Sequence, residues 1–283
     1  MEKHPYFDLL LHTDQELETL LGVPVLERVT LHEWPLSCVQ RLCLPGEKTW
    51  IYKSEAGPTV EAEFYAHAHS PLLVQAQTIF RDHRYVCLLL QDLKIPSLEA
   101  SELSEEEAVR IGRRLLADIA AMEGHPPVYL DVSEWNHWQA VMDAMLQDLD
   151  GLVVSGKYEN TRRDAVRAIA RAASSPEVHA IFHAGESFAP RLVHHDLSAE
   201  NVFSTPDGFR VIDWQRPIFG PPEIDMVLLL TSLGFDPRAH VEPGISTITD
   251  LLRVHWFTEC TLCWFPPGYQ TYDRTIAHLA EQF

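Results

Sequence analysis

Positive charge is scarce in this sequence. Its 283 residues carry 22 lysines and arginines against 41 aspartates and glutamates, a formal net charge of −19 at pH 7. Neutralising nucleic-acid phosphates takes a basic surface, and so does docking on anionic lipid, so composition argues against nucleic acid and membrane as partners. Cysteine is scarce too. Cys38, Cys43, Cys87, Cys260 and Cys263 are odd in number and scattered, which makes no disulfide framework and fits a reducing compartment. Long hydrophobic runs are missing: 86–90 and 226–230 are among the longest, far too short to span a bilayer. Residues 1–5 lack the basic start and apolar stretch of a signal peptide, so the expected location is cytoplasmic. What is present is a 46% apolar chain, enough to bury a core. The acidic surplus attracts cations, metal ions and amines included.

The chain changes character near 91–94. Before it, 25–31, 37–44, 49–53 and 85–90 read as strands, with the turn Pro45-Gly46-Glu47-Lys48 making a hairpin of the second and third. One helix is expected in this third, opening at Thr59 and carrying Glu61, Glu63, Phe64 and Tyr65. Afterwards the pattern is helical. Ser104 and Glu107 form a capping box ahead of Ile111, Leu115, Ile119 and Met122 at helical spacing. Ser133 is expected to cap a second helix with Trp138, Met142, Met145 and Leu149 on its apolar side; further helices are expected at 161–173 and 177–183. The expected class is α+β, with a β-rich lobe at 1–93 and a mostly helical lobe at 94–283.

The chemistry lies in residues 191–213, RLVHHDLSAENVFSTPDGFRVID. Asn201 follows Asp196 by five residues, and Pro206-Asp207-Gly208 is a turn between two strand-like runs. If those runs pair, Asn201 and Asp213 share the open end, with Asp196 in the loop leading into it. Two carboxylates and an amide oxygen make a hard donor set suited to Mg²⁺. Asp213 and Asn201 then hold metal bound to polyphosphate, leaving Asp196 to orient a hydroxyl and accept its proton. Phosphoryl transfer needs that division of labour, since its catalysis is mostly positioning and charge neutralisation.

The pattern H-x-D-x-x-x-x-N, then a hairpin, then D, is the catalytic-loop and metal-Asp arrangement of the protein-kinase-like fold. LVHHDLSAENVF and VIDW resemble the aminoglycoside phosphotransferase and choline kinase family. Trp214-Gln215 stands where protein kinases have Phe-Gly, and no Ala-Pro-Glu segment follows. The resemblance runs from about residue 25 to 235 and implies a bilobal fold, ATP and Mg²⁺ as cofactors, and a small-molecule alcohol as acceptor. It implies that Asp196 is the catalytic base and that Asn201 and Asp213 are metal ligands. Lys53 would clamp phosphates, paired by Glu61 or, as the alternative, Glu63. Gln91 and Leu93 would lie on the hinge strand that meets adenine. His194 would pack beneath the catalytic loop, and Asp225 would brace it from a helix N-terminus. One departure stands out. The segment His32-Glu33-Trp34-Pro35-Leu36, expected to be a loop, has no glycine, so backbone N–H groups have no easy approach to phosphate.

Two rival readings accompany this one. The glycine-free segment suits a catalytically silent nucleotide- or ligand-binding member. His194-His195-Asp196 would suit a metallohydrolase if further His or Cys ligands joined it. Cys260-Thr261-Leu262-Cys263 is a lone C-x-x-C inside an apparent helix, expected to be two buried thiols. Trp256, Phe257, Trp264, Phe265, Tyr269 and Tyr272 are expected to be core residues first. A wall that grips a cationic acceptor is the sharper alternative. The acidic composition favours an amino alcohol or amino sugar as that acceptor. Its identity, ATP against GTP, and oligomeric state are not legible.

Overall fold

The computed structural model describes residues 1–183 and 189–283. The chain forms two compact units. One comprises Met1–Pro96, Glu123–Pro127 and Phe203–Gln215; the other comprises Ser97–Met122, Val128–Val202 and Arg216–Phe283.

The first unit is built on five antiparallel strands, β1 (Glu27–Trp34), β2 (Ser37–Leu44), β3 (Lys48–Ala56), β4 (Ala76–Arg81) and β5 (Tyr85–Gln91). Their order is β1-β2-β3-β5-β4. The connection between β1 and β2 is not the expected five-residue loop. The ladder continues to Trp34 opposite Ser37, so His32 and Glu33 are strand residues and only Pro35 and Leu36 turn. A register shift between Thr30 and His32 supplies the local twist that lets the hairpin run on. Edge strand β4 was not evident in AQTIFR, which lacks an alternating apolar face.

The unit has two helices where one was expected. In α1 (Asp14–Leu21), Thr13 caps the N-terminus reciprocally with Glu16, and Gly22 closes the C-terminus at φ 70°, a left-handed position that glycine adopts without penalty. In α2 (Glu61–His67) the helix starts two residues later than Thr59, whose hydroxyl oxygen accepts the Glu61 N–H at 3.2 Å. Alternation along the strands sorts the two faces of the sheet. Leu42, Tyr52, Cys87 and Leu89 pack with Leu17 of α1, and Val86, Leu88 and Leu90 pack with Ala62 of α2. Lys53 is opposite Leu88 in the ladder and so lies on the α2 face. The hairpin of strands Val202–Thr205 and Gly208–Val211 reaches this unit where the Val211 N–H donates to the Leu72 carbonyl at 2.8 Å. Trp214, fully buried, stacks on Phe64 of α2 with ring centroids 4.4 Å apart.

The second unit is helical: α3 (Glu105–Ala120), α4 (Trp135–Val154), α5 (Arg163–Ala173), α6 (Pro176–His183), α7 (Glu223–Ser232), α8 (Pro243–Glu259) and α9 (Tyr269–Ala280). The Ser104–Glu107 capping box of α3 is formed. Ser133 does not cap α4; the N-cap is Glu134, without a side-chain bond, and the Ser133 N–H instead donates to Asp131 Oδ1 at 2.9 Å. Trp138, Met142, Met145 and Leu149 of α4 join Ile245, Ile248 and Leu252 of α8 and Ile276 of α9 in one core. Burying each such side chain contributes roughly 1.5–3 kcal/mol. Helix α8 passes into a π turn at Cys260–Trp264. That turn separates the two thiols: Cys260 is buried and Cys263 is exposed, which corrects the expectation of two buried cysteines. No helix among the described residues is long and apolar enough to cross a membrane.

Candidate active site

In the first unit, β3 delivers Lys53 into a buried cluster of carboxylates. Its ammonium lies 2.5 Å from Glu61 Oε2, 2.6 Å from Asp213 Oδ1 and 2.9 Å from Glu55 Oε1. Glu63 takes no part: it pairs with Arg81. Helix α2 therefore presents Glu61 inward and Glu63 outward, one residue pair apart on its first turn. Glu55 was missed by sequence reasoning. The signal was available, because residues two apart on a strand share a face, and Lys53 and Glu55 are so spaced.

Electrostatics in this cluster are dominated by burial. Burial alone would lower the pKa of Lys53, but Asp213, Glu55 and Glu61 outweigh it and hold the ammonium well above its ordinary value. Glu61 is pushed well above the usual carboxylate range, first by burial and then by Glu55, against the pull of Lys53. Glu61 Oε1 and the Tyr65 hydroxyl are buried without a hydrogen-bond partner. The Tyr65 pKa is raised by burial and then by Glu61. Asp213 itself adopts φ 70°, a left-handed conformation that aspartate tolerates better than most residues.

In the second unit the segment after strand Arg191–Val193 is held from α7. Asp225, in the first turn of α7 and 1% exposed, accepts the backbone N–H of His194 at 2.8 Å through Oδ2 and of His195 at 2.9 Å through Oδ1. Burial raises its pKa to about 7 against those two bonds. His194 is buried, and its Nδ1 accepts the Asp196 N–H at 3.2 Å. Asp196 is exposed. Asn201 is buried and donates from Nδ2 to the Asp196 carbonyl at 2.9 Å, which commits its amide nitrogen inward and leaves Oδ1 as the oxygen able to meet a cation. His195 sits at φ 68°, half-buried, with its pKa pushed down to about 3 by burial and then by Arg216.

Two groups of side chains among the described residues have metal-compatible spacing, Glu55–Glu61–Asp213 and His4–Glu33–Cys38; neither contains His194 or His195. The second does not suit a metal. His4 Nδ1 accepts the N–H groups of Tyr6 and Phe7, both at 3.2 Å, so the ring proton is on Nε2 and is donated to Glu33 at 3.0 Å. At the end of β5, the Gln91 N–H donates to the Gln75 carbonyl at 2.8 Å, and Leu93 packs against the cluster of Leu88 and Leu90.

The aromatic stretch near the C-terminus engages the protein's own groups. The Arg216 guanidinium lies 3.8 Å from the centre of the Trp256 ring, Lys157 lies 5.7 Å from that of Tyr269, and Phe257 stacks on Tyr272. Trp256 thus already faces a cation of this chain.

Comparison with known proteins bears on the family and the fold. Residues 60–248, more than half of the chain, match the model of the phosphotransferase enzyme family. No curated protein matches the sequence. Among solved structures, the chain is similar to the GDP complex of wild-type aminoglycoside 2'-phosphotransferase-IIIa (TM-score 0.63, 13% identity, covering 94% of this chain and 96% of that one). It is similar to a choline/ethanolamine kinase family protein from Mesorhizobium loti (TM-score 0.61, 14% identity, 90% and 87% covered). It is also similar to spectinomycin phosphotransferase APH(9)-Ia in complex with ADP and spectinomycin (TM-score 0.51, 12% identity, 97% and 100% covered). Such likeness gives the fold, which is the expected protein-kinase-like α+β class. On the family match, the chain belongs to the phosphotransferase enzyme family, the small-molecule kinases of protein-kinase-like fold.

Proposed function

We propose that the protein transfers the γ-phosphate of ATP, with Mg²⁺, to a hydroxyl of a small molecule in the cytoplasm. The observation that carries this reading is the buried Lys53–Glu61 pair with Asp213 on the same ammonium, because a lysine fixed in this way serves to grip phosphate oxygens. Asp196 acts as base. It accepts the acceptor's hydroxyl proton as that oxygen forms its bond to the γ-phosphorus, and the bond from phosphorus to the β-bridging oxygen breaks to release ADP. Asp225 keeps the loop of His194 and Asp196 in shape. The hinge residues Gln91 and Leu93 meet the base of the nucleotide.

The donor set suits Mg²⁺: Asp213 and Asn201 offer hard oxygens, and Asn201 has its nitrogen turned to the Asp196 carbonyl. The bound cation would neutralise phosphate charge. An amino alcohol or amino sugar is the favoured acceptor. The −19 charge of the chain supports it, as do aminoglycoside- and choline-acting neighbours. Five free thiols fit the reducing cytoplasm. One observation favours a silent, binding-only member instead: the β1–β2 hairpin is laddered up to Trp34 and Ser37, which commits the β2 amides and alternate amides of edge strand β1 to the sheet. Consumption of ATP by the purified protein against a panel of amino alcohols, amino sugars, amino acids and sugars separates the two. Turnover with one class, lost in D196A, supports transfer. Stabilisation by Mg·ATP without turnover on any acceptor supports the silent reading.

A further inference from the structure

A lysine ammonium has three N–H donors and no acceptor. In this structure the Lys53 ammonium donates to Glu61 Oε2 at 2.5 Å and to Asp213 Oδ1 at 2.6 Å, and Glu55 Oε1 lies 2.9 Å away as a third charged partner. Glu61 and Asp213 are the residues the resemblance implies; Glu55 lies outside that pattern, and it is more than a neighbour. It is 1% exposed. Its Oε1 also accepts from Gln215 Nε2, and its Oε2 accepts from the Thr59 hydroxyl at 3.1 Å. Thr59 in turn accepts the Glu61 N–H, and the Val60 N–H donates to the Gln215 carbonyl at 2.9 Å. One carboxylate thus ties together strand β3, the entry to α2 and the segment that follows Asp213. An ammonium held by one carboxylate can turn about its terminal bond. Set between two fixed carboxylates, it has one place to sit and a single direction in which to aim an N–H.

We infer that Glu55 is a positioning residue for Lys53. Beside Glu61 it fixes where the ammonium sits, and so aims the N–H that Asp213 now accepts at the place a phosphate oxygen of the nucleotide would take. The inference rests on the phosphotransferase reading above. Its distinguishing feature is reach rather than charge. Glutamine in place of Glu55 keeps an acceptor oxygen for Lys53 and Gln215 and donates to Thr59 from its amide, whereas aspartate keeps the charge but is one methylene too short.

Calorimetric binding of Mg·ADP to the intact chain tests this without an acceptor. E55D should weaken binding about tenfold, the cost of one phosphate hydrogen bond from an ammonium that has lost its aim, and E55Q should stay within about threefold of wild type. In a K53A background E55D should add less than about twofold, because residues acting through one group are not additive. The inference is overturned if E55Q binds more weakly than E55D, if E55D binds as wild type does, or if the E55D and K53A losses multiply. A wild-type protein that binds no Mg·ADP at all would instead overturn the phosphotransferase reading itself.

Discussion

Replacing Lys53 with methionine removes the one cation from a buried group of three carboxylates. The shape of the side chain is roughly kept, so the change isolates charge. Carboxylate oxygens of Glu55, Glu61 and Asp213 lie within 4.8 Å of one another; at an effective dielectric of about 20, two unit charges at that distance repel by about 3–4 kcal/mol. Such repulsion without a cation is a large part of a domain's marginal stability, so the variant must bind one proton more than the wild type, whose Glu61 is already held well above the usual carboxylate range. Binding a proton to a carboxyl of ordinary pKa 4.5 costs about 4 kcal/mol at pH 7.5 and about 0.7 kcal/mol at pH 5. With one proton bound, K53M should lose about 4 kcal/mol at pH 7.5, within the range for breaking a buried ion pair. That corresponds to a fall of roughly 8–16 °C in melting temperature. At pH 5 the deficit should shrink to a few degrees. The direction follows from linkage: a carboxyl whose folded pKa is raised contributes stability at low pH and loses it as pH rises. Thermal melts of both proteins from pH 5 to 8, with K53M/E55Q as the rescued control, measure this. A K53M deficit below 2 °C at pH 7.5, or one of equal size at pH 5 and 7.5, would refute the reasoning (roughly half a kcal/mol is the resolution of such melts).

Asp225 accepts two backbone N–H groups while almost fully buried, so D225A should cost about 2–5 kcal/mol. It should also speed hydrogen exchange at the His194 and His195 amides; unchanged exchange there would show that α7 does not hold the loop. Burial, then Arg216, pushes the His195 imidazole down to about 3 from an ordinary 6.5. Its stabilising contribution is therefore complete above about pH 6.5 and is lost as pH falls towards 3. H195Q should flatten the acid limb of the stability curve, and an identical slope in both proteins would count against that assignment. Asp196 is exposed, so D196N should melt within about 0.5 kcal/mol of wild type. It should also lower transfer by a factor on the order of 10² to 10⁴, measured as phosphorylated product per enzyme.

The readable parts of the sequence were those in which local chemistry agrees with the final environment. Ser104 and Glu107 announced α3 because a capping box is complete within four residues. Lys53 and Glu61 were legible through spacing from a strand end to a helix start. The hairpin tip was misread because Pro35 drew attention to a turn, while the lack of glycine hid how tight that turn is. Helix α1 was passed over although Thr13 and Glu16 form the same box as α3; at eight residues its apolar stripe is only Leu17 and its neighbours. Ser133 looked like a cap by type, yet its position depends on how Asp131 turns the chain, which is a tertiary matter. Glu55 shares a strand face with Lys53 and was legible to that extent, but its link to Gln215, 160 residues away, is tertiary.

The left-handed backbone at His195 and Asp213 has a consequence for sequence drift. Each holds φ near 70°, where β-branched and bulky residues are strained by roughly 1–2 kcal/mol while asparagine, aspartate and glycine are accommodated. Substitution at Asp213 is then filtered twice, once by folding and once by chemistry, and the two filters pass different residues. Asparagine and glycine are the changes that folding accepts most easily. A lineage that gave up phosphate transfer would be expected to record the loss as Asn or Gly at 213, whereas serine, alanine or valine there would mark a chain whose hairpin had also relaxed its backbone.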